Sequence, residues 1–591
     1  MRQHILATAL AAAVTALAYG QNLNPTVEVT NAYEGGASSI NKPAEKMAVP
    51  DSVTRFNLDF DYSVFEKPYQ GAYEFTPYYV QLKPAPKAST TEKFYLKTGA
   101  GFTLHPELDL VWSPLLKEKF QVNVYATHHS YFGKYHDFKW KVDDNLKTWI
   151  VPSGEKDKGY LADSKAGVDA AYGWDGGIAT LDVGFRHRKA SLSTHLQRMG
   201  GLEAKGRVRS LPSDEPHFLY DAAITYSLMG GGLAHQYYSF FAPDPSLAED
   251  PVVVNFLESQ FNLDGTFGPV LNEQNRFLVD LDLDLARYAR GFNGYTGLLS
   301  VTPKYQFETG RWRFSLGAKI AAIIYSEGFN AWDKEYQRKS GTIFPDVYVD
   351  FSLLDDQLVL QASATGGDEF SSLSNRFFTR PFSYEFSNLY GHSMERFRLM
   401  AGVRGNIASR FRYDLQGGLA RRVHSPVDGI LHNLPVRAED GVKISTMIPV
   451  LWERTFYLWY ADFDYGWKSE HVTVDGRFSY RHTKDLGYGT FNPAAFTGFI
   501  RPAYNWGERF KGGLDVSWST SRKLCFTEED YQYSAEYIPG WVDLGLFAEC
   551  RFTRNLGFWA KGGNLLNQVV QQTPLVAEAG MYFTAGIILN F

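Results

Sequence analysis

The chain closes on Met581-Tyr-Phe-Thr-Ala-Gly-Ile-Ile-Leu-Asn-Phe591, with a large or apolar side chain at every second position and an aromatic as its final residue. Successive side chains of a β-strand point to opposite faces. Met581, Phe583, Ala585, Ile587, Leu589 and Phe591 therefore share one face, and Tyr582, Thr584, Gly586, Ile588 and Asn590 share the other. The first face suits lipid and the second a crowded interior, the combination that a membrane-crossing strand requires. Taken alone, the segment is also open to the plainer reading of a soluble β-protein that ends this way by chance.

The opposite end carries the features of an export signal. Arg2 precedes an apolar run from Ile5 to Ala18, and Ala18-Tyr19-Gly20 offers a small-x-small cleavage site before Gln21. Residues 1–20 are expected to be removed, leaving Gln21 as the mature N-terminus. The only cysteines are Cys525 and Cys550. None follows the signal closely enough to take a lipid anchor, and disulfides are not the framework of the fold.

Composition separates the two ways of crossing a bilayer. Aromatic residues make up 16% of the chain, with 36 Tyr, 43 Phe and 13 Trp, yet mean hydropathy is only -0.28. Beyond the signal no run reaches the 18 or so apolar residues that a spanning helix needs. Barrel strands hide their hydrophobicity in alternation and concentrate Tyr, Phe and Trp at the interfaces, which matches this balance. A net charge of -6 and a pI near 6.2 argue against a nucleic-acid partner.

Alternation recurs along the chain. Phe277, Val279, Leu281, Leu283 and Leu285 oppose Asp280, Asp282 and Asp284, an acidic face that only a wet interior accepts. Leu544, Leu546, Ala548 and Cys550 likewise oppose Asp543, Glu549 and Arg551, which turns Cys550 toward lipid and makes a bond to Cys525 unexpected. Short joins near 175–176, 310–311, 355–356, 408–409, 467–468, 506–507 and 554–555 alternate with long ones near 133–160, 230–252, 326–342, 367–393, 424–446, 482–492, 520–539 and 564–578. Periplasmic turns of such barrels are short and extracellular loops long. The expected fold is all-β, a transmembrane antiparallel outer-membrane β-barrel of about 22 strands over residues 92–591. Residues 21–91 form a separate N-terminal segment before it.

Two features carry a resemblance. The terminal strand is similar to the C-terminal signal by which outer-membrane proteins are recognised for insertion, and Gly562-Gly563-Asn564-Leu565-Leu566-Asn567-Gln568 resembles the "NLLN" or "NLFN" segment that TonB-dependent receptors, particularly those of Bacteroidota, place before their last strand. The resemblance implies an outer-membrane receptor or transporter barrel for passage of a solute. It is specific over roughly the last 50 residues. The family's globular plug has no full counterpart in residues 21–91, which hold two short alternating stretches near 55–64 and 73–82 and no recognisable TonB-contact box. That segment is open to three readings: a partial plug, a periplasmic docking arm, or a strand added to a partner. The alternative function is a non-transporting barrel subunit of an outer-membrane assembly or secretion complex. Expected partners are outer-membrane lipid, the barrel-assembly machinery during biogenesis and a periplasmic or outer-membrane protein. No nucleic acid and no cofactor are expected.

Two sets of residues stand out as candidate ligand sites. Arg396, Arg398, Arg404, Arg410, Arg412 and Arg422 are predicted to line neighbouring parts of the lumen, where guanidinium groups can grip carboxylates or phosphates with two hydrogen bonds. The competing reading pairs them with lumen carboxylates such as Asp414, Asp475 and Glu549. The second set is Phe377, Phe378, Phe382, Tyr384, Phe386 and Tyr390 in a predicted extracellular loop. These aromatics either meet a sugar, peptide or protein partner or form the loop's own core, as an inward-folded constriction would. No metal site is expected. His128 and His129 are adjacent on a strand and point opposite ways, His136 lies beyond them, and the acidic loop clusters lack an EF-hand's spacing. No GxSxG, HExxH or phosphate-binding glycine loop is present, so an enzyme is not expected.

Overall fold

The computed structural model describes residues 93–591 except 118, 146, 193–194, 214, 236–251, 291–292, 327–340, 355–356, 381, 383, 386–390, 433–446, 488, 508 and 525–535. The expected signal peptide, the segment 21–91 and Cys525 lie outside the described residues. The strands in chain order are β1 (Phe94–Phe102), β2 (Glu107–Leu116), β3 (Phe120–Val142), β4 (Thr148–Trp174), β5 (Gly177–Leu192), β6 (His195–Ser210), β7 (His217–His235) and β8 (Val252–Val270). They continue with β9 (Asn275–Ala289), β10 (Gly294–Thr309), β11 (Trp312–Tyr325), β12 (Thr342–Leu354), β13 (Leu358–Phe370), β14 (Tyr384–Glu385), β15 (His392–Ile407) and β16 (Phe411–His432). The last are β17 (Met447–Lys468), β18 (Val472–Lys484), β19 (Phe496–Trp506), β20 (Phe510–Ser519), β21 (Arg522–Lys523), β22 (Glu536–Ile538), β23 (Trp541–Arg551), β24 (Leu556–Gly563) and β25 (Tyr582–Asn590). Among the described residues one short helix, α1 (Leu373–Thr379), interrupts the β structure.

All but β14, β21 and β22 belong to one wall of 22 antiparallel strands. The wall closes where β1 pairs with β25 in the register Leu96↔Leu589 to Phe102↔Phe583. The terminal segment is thus the last strand, and the Phe591 carbonyl accepts from the Phe94 N–H at 2.9 Å. Closure leaves no open edge, so every backbone group in the wall finds a partner without water.

The two faces separate as the alternation requires. Phe277, Leu316, Leu360, Leu399, Leu546 and Phe583 are exposed on the outside, as is Cys550. On the inside, Asp280 accepts from Thr266 Oγ1 at 2.8 Å and pairs with Lys304, while Asp282 accepts from Ser300 Oγ at 2.9 Å. No described helix is long and apolar enough to cross a membrane; the strands do so.

The extracellular side departs from the sequence expectation. The stretch 133–160 is mostly strand, since β3 and β4 stay paired up to Val142↔Thr148. The alternation there, with Phe138, Trp140 and Ile150 turned one way, is that of a strand pair covered by protein. Those side chains join Ile430, Phe491, Leu524, Ile538, Leu575 and Ala577 in an apolar core built from five separate loop regions. The 564–580 segment carrying the NLLN motif is part of it. Asn564 holds the segment's turn by donating to the Gln568 and Gly580 carbonyls and accepting from the Gln568 N–H.

Candidate functional site

The connection between β13 and β15 positions the candidate site. The top of this hairpin bends where the register shifts between Thr365 and Gly367 and between Glu395 and Phe397. Above the bend, β13 touches β10 and β11, and β15 touches β12, strands with which neither is paired in those contacts. Met394 packs on Leu298, Ala321 and Phe344, and His392 Nε2 lies 2.7 Å from Thr296 Oγ1. Thr296 and Leu298 share the inward face with Ser300. The hairpin therefore leans into the lumen and carries α1 against the inner face of β6 to β9.

Local chemistry starts the helix there. Ser372 is the N-cap, its side chain accepting from the Asn375 N–H at 3.3 Å. The wall supplies the remaining partners of the first turn. Glu258, fully buried, accepts from the Ser374 N–H at 3.1 Å and from the Ser374 hydroxyl, and the Tyr288 hydroxyl accepts from the Leu373 N–H at 3.3 Å. Phe377 and Phe378 enter a core with Met199, Met229, Phe256 and Ala286. The Arg186 guanidinium lies 3.8 Å from the centre of the Phe378 ring. Arg188 ties the Phe378 carbonyl to Asp163.

Beyond α1 the chain crosses to other parts of the wall. Phe382 packs on Tyr131, Tyr135 and Ala190, and Arg380 pairs with Asp428 of β16. β14 then runs parallel to β17 through Tyr384↔Val450 and Glu385↔Leu451. Arg522, 3.9 Å from Asp428, is so buried that its guanidinium is pushed below its ordinary pKa, the Asp428 charge working against that shift. The described residues of 371–385 thus form a strap inside the barrel, held by two apolar cores, by half-buried ion pairs and, at its end, by the β14–β17 pairing.

Of the aromatic set, Phe377, Phe378 and Phe382 are buried in this strap. Tyr384 lies in β14, its side chain outside the described residues, as are Phe386 and Tyr390. The arginines separate into two groups. Arg398 grips Glu395 with two hydrogen bonds of 2.8 Å and stacks over Tyr460, and Arg422 Nε reaches Glu395 at 3.1 Å and its Nη1 Glu369 at 3.3 Å. Arg404 pairs with Asp350 at 2.9 Å. Arg396, the extra residue of the bulge, and Arg410 and Arg412 near the Ala408-Ser409 turn are exposed and enter no ion pair among the described residues. The six are spread from the strap to the periplasmic end and do not meet at one point.

Inward pairing extends around the ring. Lys97 meets Glu549 at 3.0 Å, Arg501 meets Asp515 at 3.0 Å and Gln361 donates to Asp414 at 2.9 Å. No group of described residues is arranged to hold a metal ion. Glu258, Arg186, Arg188, Asp163 and Asp428 were not legible as site residues, because each acts through a partner more than 100 residues away or through the strap. A serine N-cap before Leu373 was the one local signal for α1.

No protein-family model matches this sequence, and no curated protein matches it. The fold is similar to that of solved receptors and transporters. The siderophore receptor PirA from Acinetobacter baumannii aligns with a TM-score of 0.59 at 10% identity, covering 85% of this chain and 80% of that one. The FrpB iron transporter from Neisseria meningitidis (F3-3 variant) aligns at 0.61 and 9%, covering 85% and 81%. For the copper transporter OprC the values are 0.58 and 11%, with 85% and 80% covered. At such identities what is shared is the fold, a large closed receptor-type barrel.

Proposed function

We propose that this protein is an outer-membrane receptor or transporter-like barrel, of the kind the TonB-dependent receptors represent, that passes a solute through a lumen gated by the strap 371–385. The strap carries the reading. A ring of 22 strands encloses a lumen that leaks unless it is plugged, and this chain folds one of its own loops onto the inner wall. The strap's polar ties, Glu258 to α1 and Arg380 to Asp428, face a lumen lined with paired charges and can exchange for a ligand's polar groups. Residues 21–91 lead to the barrel at its periplasmic end and are the candidate for a second closure there. In this reading the exposed Arg396, Arg410 and Arg412 are the lumen cations open to an anionic solute or an acidic segment.

A second reading, a barrel subunit of an outer-membrane assembly, is favoured by the loop core around Leu575, which gives the extracellular surface a rigid shape suited to a partner. Single-channel conductance in planar bilayers separates the two. The full-length barrel is expected to stay closed, deletion of 21–91 or of 373–385 alone to give brief openings, and the double deletion to conduct steadily. A folded double deletion that never conducts would sink the transporter reading in favour of the assembly subunit.

A further inference from the structure

We infer that the outer face of β3 to β6 holds the phosphorylated headgroup of an outer-leaflet glycolipid, with two phosphates bound between two pairs of cations. The strand registers place these cations. Lys134 is directly opposite Lys158 on β3 and β4, and Lys189 is directly opposite Arg198 on β5 and β6. All four share the outer face with Phe132, Val168, Phe185 and Leu202, which are exposed. Like charges directly across a strand pair repel each other and destabilise a sheet. Here two such pairs lie four residues apart along β4, Lys158 in one and Ala162 opposite Lys189 of the other, roughly 13 Å along the strand.

An aromatic pair links them. Phe132 stacks on Tyr160 with ring centres 5.9 Å apart, Lys189 Nζ lies 5.0 Å from the centre of the Tyr160 ring, and the Lys134/Lys158 pair is one same-face step further from the membrane. This is the arrangement of an interfacial aromatic girdle with cations at headgroup height. None of the four cations forms an ion pair with another described residue. From the periplasmic ends of the four strands up to these cations, no Asp or Glu faces outward among the described residues. The carboxylates of the same strands, Asp157, Asp163, Asp169, Asp182 and Glu203, all face the lumen, and Asp137 and Glu155 belong to the bulge above. Among the described residues the four strands therefore supply no counter-charge to these cations.

On the outer face Ala162 lies directly beside Lys189, and Ser164, Ala166 and Gly200 follow below it together with His128 and His187. Two separate pairs of cations fit a lipid that carries two phosphates on one headgroup better than a lipid that carries one.

The test uses full-length barrel purified in detergent and stripped of lipid, with binding read by native mass spectrometry. The probes are diphosphoryl lipid A, monophosphoryl lipid A, phosphatidylglycerol and inorganic phosphate. The expected order is diphosphoryl above monophosphoryl lipid A, with phosphatidylglycerol weaker and no retention of inorganic phosphate. The double variants K134Q/K158Q and K189Q/R198Q should each weaken diphosphoryl lipid A by about tenfold or more, given the contribution of a basic residue near an anionic surface. Lys165→Gln, on the lumen side of β4, should change nothing. Heat-modifiable mobility on gels verifies folding of each variant. The proposal is overturned if both folded double variants bind like the parent, if phosphatidylglycerol binds as well as diphosphoryl lipid A, or if inorganic phosphate competes fully.

Discussion

Glu395 and Arg396 are neighbours in sequence and opposites in environment. Glu395 is fully buried between Arg398 and Arg422, whereas Arg396 bulges out of the ladder and is exposed. Removing Arg398 takes two charge-assisted hydrogen bonds from a buried carboxylate that keeps only Arg422, at a cost of about 1.5 to 3 kcal/mol. Arg398→Ala should therefore lower unfolding stability in urea by about that amount, while Arg396→Ala stays within ~0.5 kcal/mol. Tryptophan fluorescence of refolded protein reads both. Equal effects would mean that the Glu395 site is solvated. Glu258 offers a second contrast, since it satisfies the first turn of α1 from β8. Glu258→Ala should release the strap and expose the buried bond after Arg376 to trypsin, which the parent resists. Resistance in the variant would show that the apolar core of Phe377 and Phe378 suffices.

At the scale of elements, the seam between β1 and β25 depends on glycine. A Cβ on Gly101 would lie 1.7 Å from the Phe583 carbonyl oxygen, and one on Gly586 1.9 Å from that of Thr98. Trp559 covers the seam from the next strand, its Nε1 donating to the Thr98 carbonyl at 3.3 Å. Gly101→Val should cost about 2 to 3 kcal/mol through overpacking and reduce the heat-modifiable, closed form on gels. A variant that closes as completely as the parent would show that the seam can open to admit a side chain. The alternation of every wall strand was readable in advance because inside and outside differ so sharply in polarity. The lengths of β3, β4 and β16 were not, since their upper parts alternate between a loop core and solvent, a contrast that depends on what packs above.

At the scale of the whole molecule, charge is sorted by surface. Lumen-facing carboxylates and cations pair around much of the ring, while among the described residues the outer face of β3 to β6 below the bulge carries cations without carboxylates. A pore opened by removing 21–91 and 373–385 should accordingly discriminate weakly between potassium and chloride, as reversal potentials in a salt gradient would report. Strong anion selectivity would instead point to the lumen arginines as a working site.

The sequence by itself determined the class of fold, the approximate size of the barrel and, where alternation is clear, which residues meet lipid, because a period of two between a lipid face and a wet face is written locally in a strand. The partners of the arginines and the inward course of the strap were decided only by tertiary structure. Arg398 found Glu395 rather than Asp414 or Glu549 because a one-residue bulge re-aims the strand, and α1 found Glu258 because the inward lean of the β13–β15 hairpin carries it across to β8. Such pairings depend on distances across the lumen, and no local pattern records them.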